Sequence, residues 1–125
     1  RGKCWALDAA ADESVSTSVD VPAWATSLAV HIDWTNLGAG SGDVVWLLQY
    51  GGFENNESTN AADSSTGGTL TAPAQDVLKR LQQIASGVTV TGGDKLFIRI
   101  QRTGTGGGDT LANDCGLIGA RLRFS

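Results

Sequence analysis

His31 is the only histidine in the chain, and it precedes Asp33 by two positions. In an extended strand such residues share a face. The pair could therefore orient an imidazole for proton transfer or offer two ligands to a metal ion. Neither chemistry is completed by its neighbours. A zinc site takes three or four Cys, His or carboxylate ligands. No Gly-x-Ser-x-Gly elbow marks a nucleophile, although a nucleophile–His–acid set can be scattered along a chain. The simpler expectation is a surface histidine on a half-exposed strand. Carboxylates pair at Asp12/Glu13 and Glu54/Glu57, in polar sequence that reads as solvated charge rather than as a glycosidase pair. Gly38-Ala39-Gly40-Ser41-Gly42 lacks both the spacing of a phosphate-binding loop and its Lys-Ser/Thr. The sequence predicts no enzyme, no cofactor and no metal.

Two cysteines, Cys4 and Cys115, fall in or beside the first and last predicted strands. Strand parity puts both thiols on the outward side. A bridge between them would close a loop of roughly 110 residues and contribute up to ~4.7 kcal/mol in the chain-entropy model. Oxidation would imply an extracellular or particle setting. Free thiols are the alternative, because a free Cys behaves as a small hydrophobe.

Aromatics are the best lead to binding. Trp34 and Trp46 read as core by parity, and Trp5 with them. Trp24 follows Pro22 in loop-like sequence and is expected at the surface. The run Gly52-Phe53-Glu54-Asn55-Asn56-Glu57 looks like a long polar loop with Phe53 anchoring it. Trp24, Phe53, Asn55 and Asn56 are thus the candidate contacts for a ligand or partner, including a glycan. Asn56-Glu57-Ser58 also fits the N-glycosylation triplet, which has meaning only in a secretory pathway.

These residues need elements to hold them. The 125 residues are the length of one domain, 1–125. They are 41% hydrophobic and 18% charged, unlike a disordered chain. The longest apolar stretch, Val44–Leu48, is far short of the ~20 residues that cross a bilayer, so no membrane insertion is expected. Seventeen Gly against two Pro argue against helices, since an interior Gly costs a helix ~1 kcal/mol. The glycines cluster between short runs rich in Val, Ile, Leu and Thr, the punctuation of an antiparallel sandwich or barrel. Leu28, Val30, Ile32 and Trp34 alternate with polar positions, as do Leu96, Ile98 and Ile100. Ile118, Ala120, Leu122 and Phe124 fall on one predicted face, with Arg121 and Arg123 on the other. Segment 76–86 is ambiguous, because Val77, Leu78, Leu81 and Ile84 have helical spacing between Pro73 and Gly87.

Net charge is −4, unevenly distributed. Residues 1–75 hold nine acids and two bases, residues 76–125 four acids and seven bases. If the halves form different surfaces, the molecule is electrically two-ended and suited to head-to-tail packing; interleaved strands would average the asymmetry away. An acidic chain without a basic, aromatic-studded face is a poor nucleic-acid binder.

The succession Val21-Pro22-Ala23-Trp24, Leu28–Trp34 and Gly42-Asp43-Val44-Val45-Trp46 carries a resemblance. So do Gly93–Arg102, the glycine-rich turn, Asp109-Thr110 and the closing strand Leu117–Phe124. Together they resemble the small jelly-roll β-sandwich modules of tailed-phage virion proteins, of the capsid decoration or tail-fibre type. The likeness covers most of the chain but rests on turns and strand edges. It implies an all-β, antiparallel jelly-roll-like sandwich of about eight strands, with at most one short helix. In such modules the region of Val77–Ile84 is a strand, and we favour that reading for 76–86. The pattern also carries an Arg and an Asp-Thr at Arg102 and Asp109, implying a structural staple across a loop that glycine would leave loose. A calcium site from Asp109, Asn113 and Asp114 is the weaker reading, lacking the spacing of a known calcium loop. The expected role is a non-enzymatic virion or extracellular protein that self-associates, a trimer being one candidate assembly, and docks on other particle proteins. A carbohydrate-binding module is the alternative.

Overall fold

The computed structural model describes residues 4–54 and 64–125. Eight strands form: β1 Trp5–Leu7, β2 Asp12–Asp20, β3 Ser27–Asn36, β4 Asp43–Phe53, β5 Ser64–Thr71, β6 Lys79–Thr89, β7 Lys95–Thr103 and β8 Cys115–Phe124. They make two four-stranded sheets, ordered β1-β8-β3-β6 and β2-β7-β4-β5. Neighbours within each sheet are antiparallel. Every connection except β4–β5 crosses from one sheet to the other, which makes the sandwich a jelly roll. No helix occurs among the described residues.

Alternation builds the core. In β3, Leu28, Val30, Ile32 and Trp34 are fully buried, and in β7 Leu96, Ile98 and Ile100 nearly so. Trp34 from one sheet meets Trp46 from the other edge-on, with ring centroids 5.5 Å apart and planes at 79°. This arrangement brings the positive edge of one ring against the negative face of the other. Neither indole N–H finds an acceptor among the described residues.

Expectations of facing fail at Ile118, Cys115 and Trp5, each for a local reason, and of the two readings of the cysteines the free thiols hold. Strand β8 carries a bulge: Asp33 pairs with Gly119 but Trp34 with Leu117, so Ile118 has no partner on β3. The extra residue reverses the parity of the strand. Cys115 and Leu117 therefore face the core, while Ile118, expected inside, is 39% exposed. Trp5, also expected inside, is 54% exposed, because β1 is a three-residue edge strand with little beside it. The cysteines do not bridge. Cys115 points inward, whereas Cys4 lies over Gly116 on the outer side, where a Cβ on that glycine would come within 2.8 Å of Cys4 Sγ.

Segment 79–89 is a strand. Of the helically spaced residues only Ile84 is buried, Val77, Leu78 and Leu81 being exposed, and bulges interrupt the strand: register with β3 shifts between Leu28 and Val30, Val30 and His31, and Ile32 and Trp34. Leu81 takes φ +52° and Gly87 φ +63°. Each break offsets the alternation by one, so Ile84, Ala85 and Val88 are buried at three- and one-residue steps.

Candidate functional site

The glycine-rich end of the sandwich is organised by one buried cation. Arg102, fully buried on β7, donates from Nε and Nη2 to the two carboxylate oxygens of Asp109, at 3.1 and 2.7 Å. Its remaining N–H groups go to the backbone carbonyls of Leu7, Asn113 and Leu111, at 3.1, 2.8 and 2.7 Å. All five guanidinium donors are thus satisfied. Burial alone would lower the Arg102 pKa, but the hydrogen bonds and charge of Asp109 outweigh it and hold the group above its ordinary value. Asp109 Oδ2 also accepts from the Val45 N–H, tying the 104–114 loop to β4. Asp109 is thus turned into the sandwich, its side chain 1% exposed, and its bonds are those of the structural staple. Asn113 instead bonds the Gly40 N–H and the side chain of Asn36. No cluster of three or more His, Cys, Asp or Glu among the described residues could hold a metal.

His31 lies on the outer face of its sheet, opposite Arg121 on β8 and Gln83 on β6. Asp33, its supposed orienting acid, accepts from the Leu81 N–H at 2.8 Å and lies 4.0 Å from Arg80 Nε. The carboxylate thus supports the left-handed turn at Leu81. The other carboxylates tie loops as well: Glu13 accepts from the Asp8 N–H, and Asp12 from Thr105. Burial pushes the Cys115 thiol up to about 12, partly offset by Arg102, which keeps it protonated and unreactive.

Two surfaces gather part of what the molecule leaves exposed, Trp5 and Ile118 at one and Phe97 at the other, while Trp24, Val77, Leu78 and Leu81 lie outside both. The first is a cleft of about 390 Å³ between the sheets, lined by Trp5, Val15, Ile98, Ile100, Leu117 and Ile118 among others. Among the described residues β1 pairs with β8 only from Cys115 to Leu117, and none pairs with the β8 edge beyond Leu117 on that side. The second is the outer face of β4 and β7. There Phe53 and Phe97 meet edge-to-face at 5.5 Å, and Arg99 Nη1 donates to Gln49 Oε1 at 3.1 Å.

Phe53 therefore does not join Trp24. Trp24 stands 67% exposed in the β2–β3 connection, which is held by bonds between Val21 and the 93–94 turn. It does not line the 310 Å³ hollow that Phe53 shares with Val21, Tyr50 and Asp94. Asn55 and Asn56, with the glycosylation triplet, lie outside the described residues. Sequence reasoning missed Phe97, Arg99 and Gln49 as a group. Parity gave the outward direction of the first two, but nothing local set Gln49 of β4 against Arg99.

Charge separates by sheet. Strands β1, β8, β3 and β6 hold Lys79, Arg80, Arg121 and Arg123 against the single acid Asp33; β2, β7, β4 and β5 hold Asp12, Glu13, Asp20 and Asp43 against Lys95, Arg99 and the buried Arg102. The strands thus carry net +3 on the first sheet and −1 on the second, so a basic sheet packs on a nearly balanced one whose edge strand β2 is acidic.

Comparison with known proteins finds no matching family model, no similar curated protein and no similar solved structure.

Proposed function

We propose that this jelly roll is a non-enzymatic structural module of a phage-like particle, of the capsid decoration or fibre type, working through protein–protein contacts. The observation that carries the reading is the open cleft beside the short strand β1. It joins a β8 edge that is unpaired among the described residues to exposed Trp5 and Ile118. Free edges and exposed apolar residues are the features that monomeric sandwiches blunt. The occupant that fits is a second copy of the chain, because the basic sheet carrying Arg121 and Arg123 complements the acidic strand β2 of a neighbour. Light scattering coupled to size exclusion tests this: a trimer or larger assembly is expected, and a monomer at micromolar concentration would overturn self-association. Electron microscopy of purified particles tests the setting.

A second reading, glycan binding by an adhesive module, is favoured by one observation, the exposed Phe97 braced by half-buried Phe53 on a sheet face otherwise rich in Ser, Thr, Gly and Gln.

A further inference from the structure

We propose that the outer face of β4 and β7 is a binding site for an acidic sugar, a uronate or sialate residue of a glycan, with Phe97 and Phe53 against the ring and Arg99 facing its carboxylate. The inference rests on the glycan reading and moves the site from the Trp24 loop to the sheet.

Phe97 is 42% exposed in the middle of β7 and braced by Phe53 at its side. The residues paired directly across from Phe97 are Ser18 and Gly51, so apart from Phe53 the flanks of the ring across the sheet are small. An aromatic held open in this way offers an apolar platform to the C–H face of a pyranose. Arg99 lies two residues further along β7, about 7 Å away on the same face. It bonds Gln49 and pairs with no carboxylate among the described residues. The depression these side chains share with Ser16 measures about 350 Å³, the size of a small-ligand site.

Hydrogen-bond chemistry then selects the ligand. The Gln49 carbonyl oxygen is occupied by Arg99, which leaves the Gln49 amide N–H pair and the other guanidinium N–H groups, all of them donors. With the Ser16 hydroxyl able to donate as well, donors predominate, and a carboxylate is the acceptor that also neutralises the guanidinium. Peptides are disfavoured by topology. Strands β4 and β7 are interior strands, paired on both sides, so no backbone edge is open on this face for strand addition.

The test uses the full chain with sialyllactose and a glucuronate-containing tetrasaccharide, each beside its carboxyl-reduced neutral form, read by calorimetry and by amide chemical shifts. One acidic probe is expected to bind, with its reduced form weaker by about tenfold or more. Phe97→Ala and Arg99→Gln, both at exposed positions, should each lose about tenfold in affinity with the melting temperature kept, and Trp24→Ala should change nothing. Equal binding of the neutral forms would overturn the acidic class. Loss in Trp24→Ala with retention in Phe97→Ala would overturn the site while leaving glycan binding standing. Silence from every sugar, or capture of an acidic peptide instead, would overturn the proposal, and the silence would remove the glycan reading with it.

Discussion

At the scale of single residues, the buried Arg102–Asp109 pair governs the glycine-rich end. Removing the carboxylate in Asp109→Ala leaves a guanidinium without a counter-charge inside the sandwich and frees the Val45 N–H. Breaking one side of a buried pair costs about 3–5 kcal/mol. Urea titration should show that loss, and a change below about 1 kcal/mol would mean that water reaches the site. Cys115 makes a second prediction. Its folded pKa, about 12, is raised above the ordinary value of 9.0. The native state thus keeps its proton where the unfolded chain has lost it. The contribution is present below pH 9 and declines toward pH 12, at up to about 1.4 kcal/mol per unit. Cys115→Ala should flatten that alkaline decline relative to the parent, and a maleimide at pH 8 should label Cys4 alone until the protein unfolds. The Arg102–Asp109 contact is legible in the sequence through the Arg and Asp-Thr that flank the glycine turn. The three carbonyls that complete it are not, because backbone oxygens of Leu7, Leu111 and Asn113 carry no side-chain signature.

At the scale of elements, close approach between strands sets the tolerances. A Cβ on Gly67 of β5 would come within 2.2 Å of the Trp46 carbonyl and 3.0 Å of Leu47 Cα. Gly67→Ala must therefore push β4 and β5 apart, at a cost of about 2 kcal/mol. Gly107 has nothing within 4 Å, and Gly107→Ala should fall within about 0.5 kcal/mol of the parent. Thermal melts of the two variants compare them directly. On β6, Leu81 holds φ +52°, a conformation costing an L-residue roughly 1–2 kcal/mol, yet its side chain is exposed. Leu81→Gly should be neutral or gain up to about 1 kcal/mol, and a clear loss in the same melts would show that Leu81 is packed. Strands β3, β4 and β7 are readable because each keeps an unbroken apolar stripe facing inward. Strands β6 and β8 mislead because bulges shift the alternation, and a bulge is a property of a strand pair rather than of one segment. Trp5 misleads for a related reason: its apolar character predicts burial, but burial needs a neighbour that a three-residue edge strand lacks.

At the scale of the whole molecule, the separation of charge between the sheets sets how copies would meet. Under the proposed self-association, a basic sheet with four cationic residues and one acid, approaching the acidic β2 edge of another copy, would make a heterologous contact that closes into a ring when the rotation allows. Ile118→Arg places a charge in the mouth of the apolar cleft and should turn the assembly into monomers on size exclusion, with the fold intact because the position is exposed. Charge should act mainly on the encounter and the cleft on the lifetime. Raising salt from about 0.05 to 0.5 M shortens the screening length several-fold, so stopped-flow association should slow by about tenfold. Replacing Arg121 and Arg123 together by Glu should slow association at low salt and erase its salt dependence, while leaving dissociation nearly unchanged. Ile118→Ala should do the reverse, speeding dissociation with little effect on association. If salt and charge reversal leave the association rate untouched, the separation of charge has no part in bringing copies together, and the apolar cleft alone would have to account for the contact.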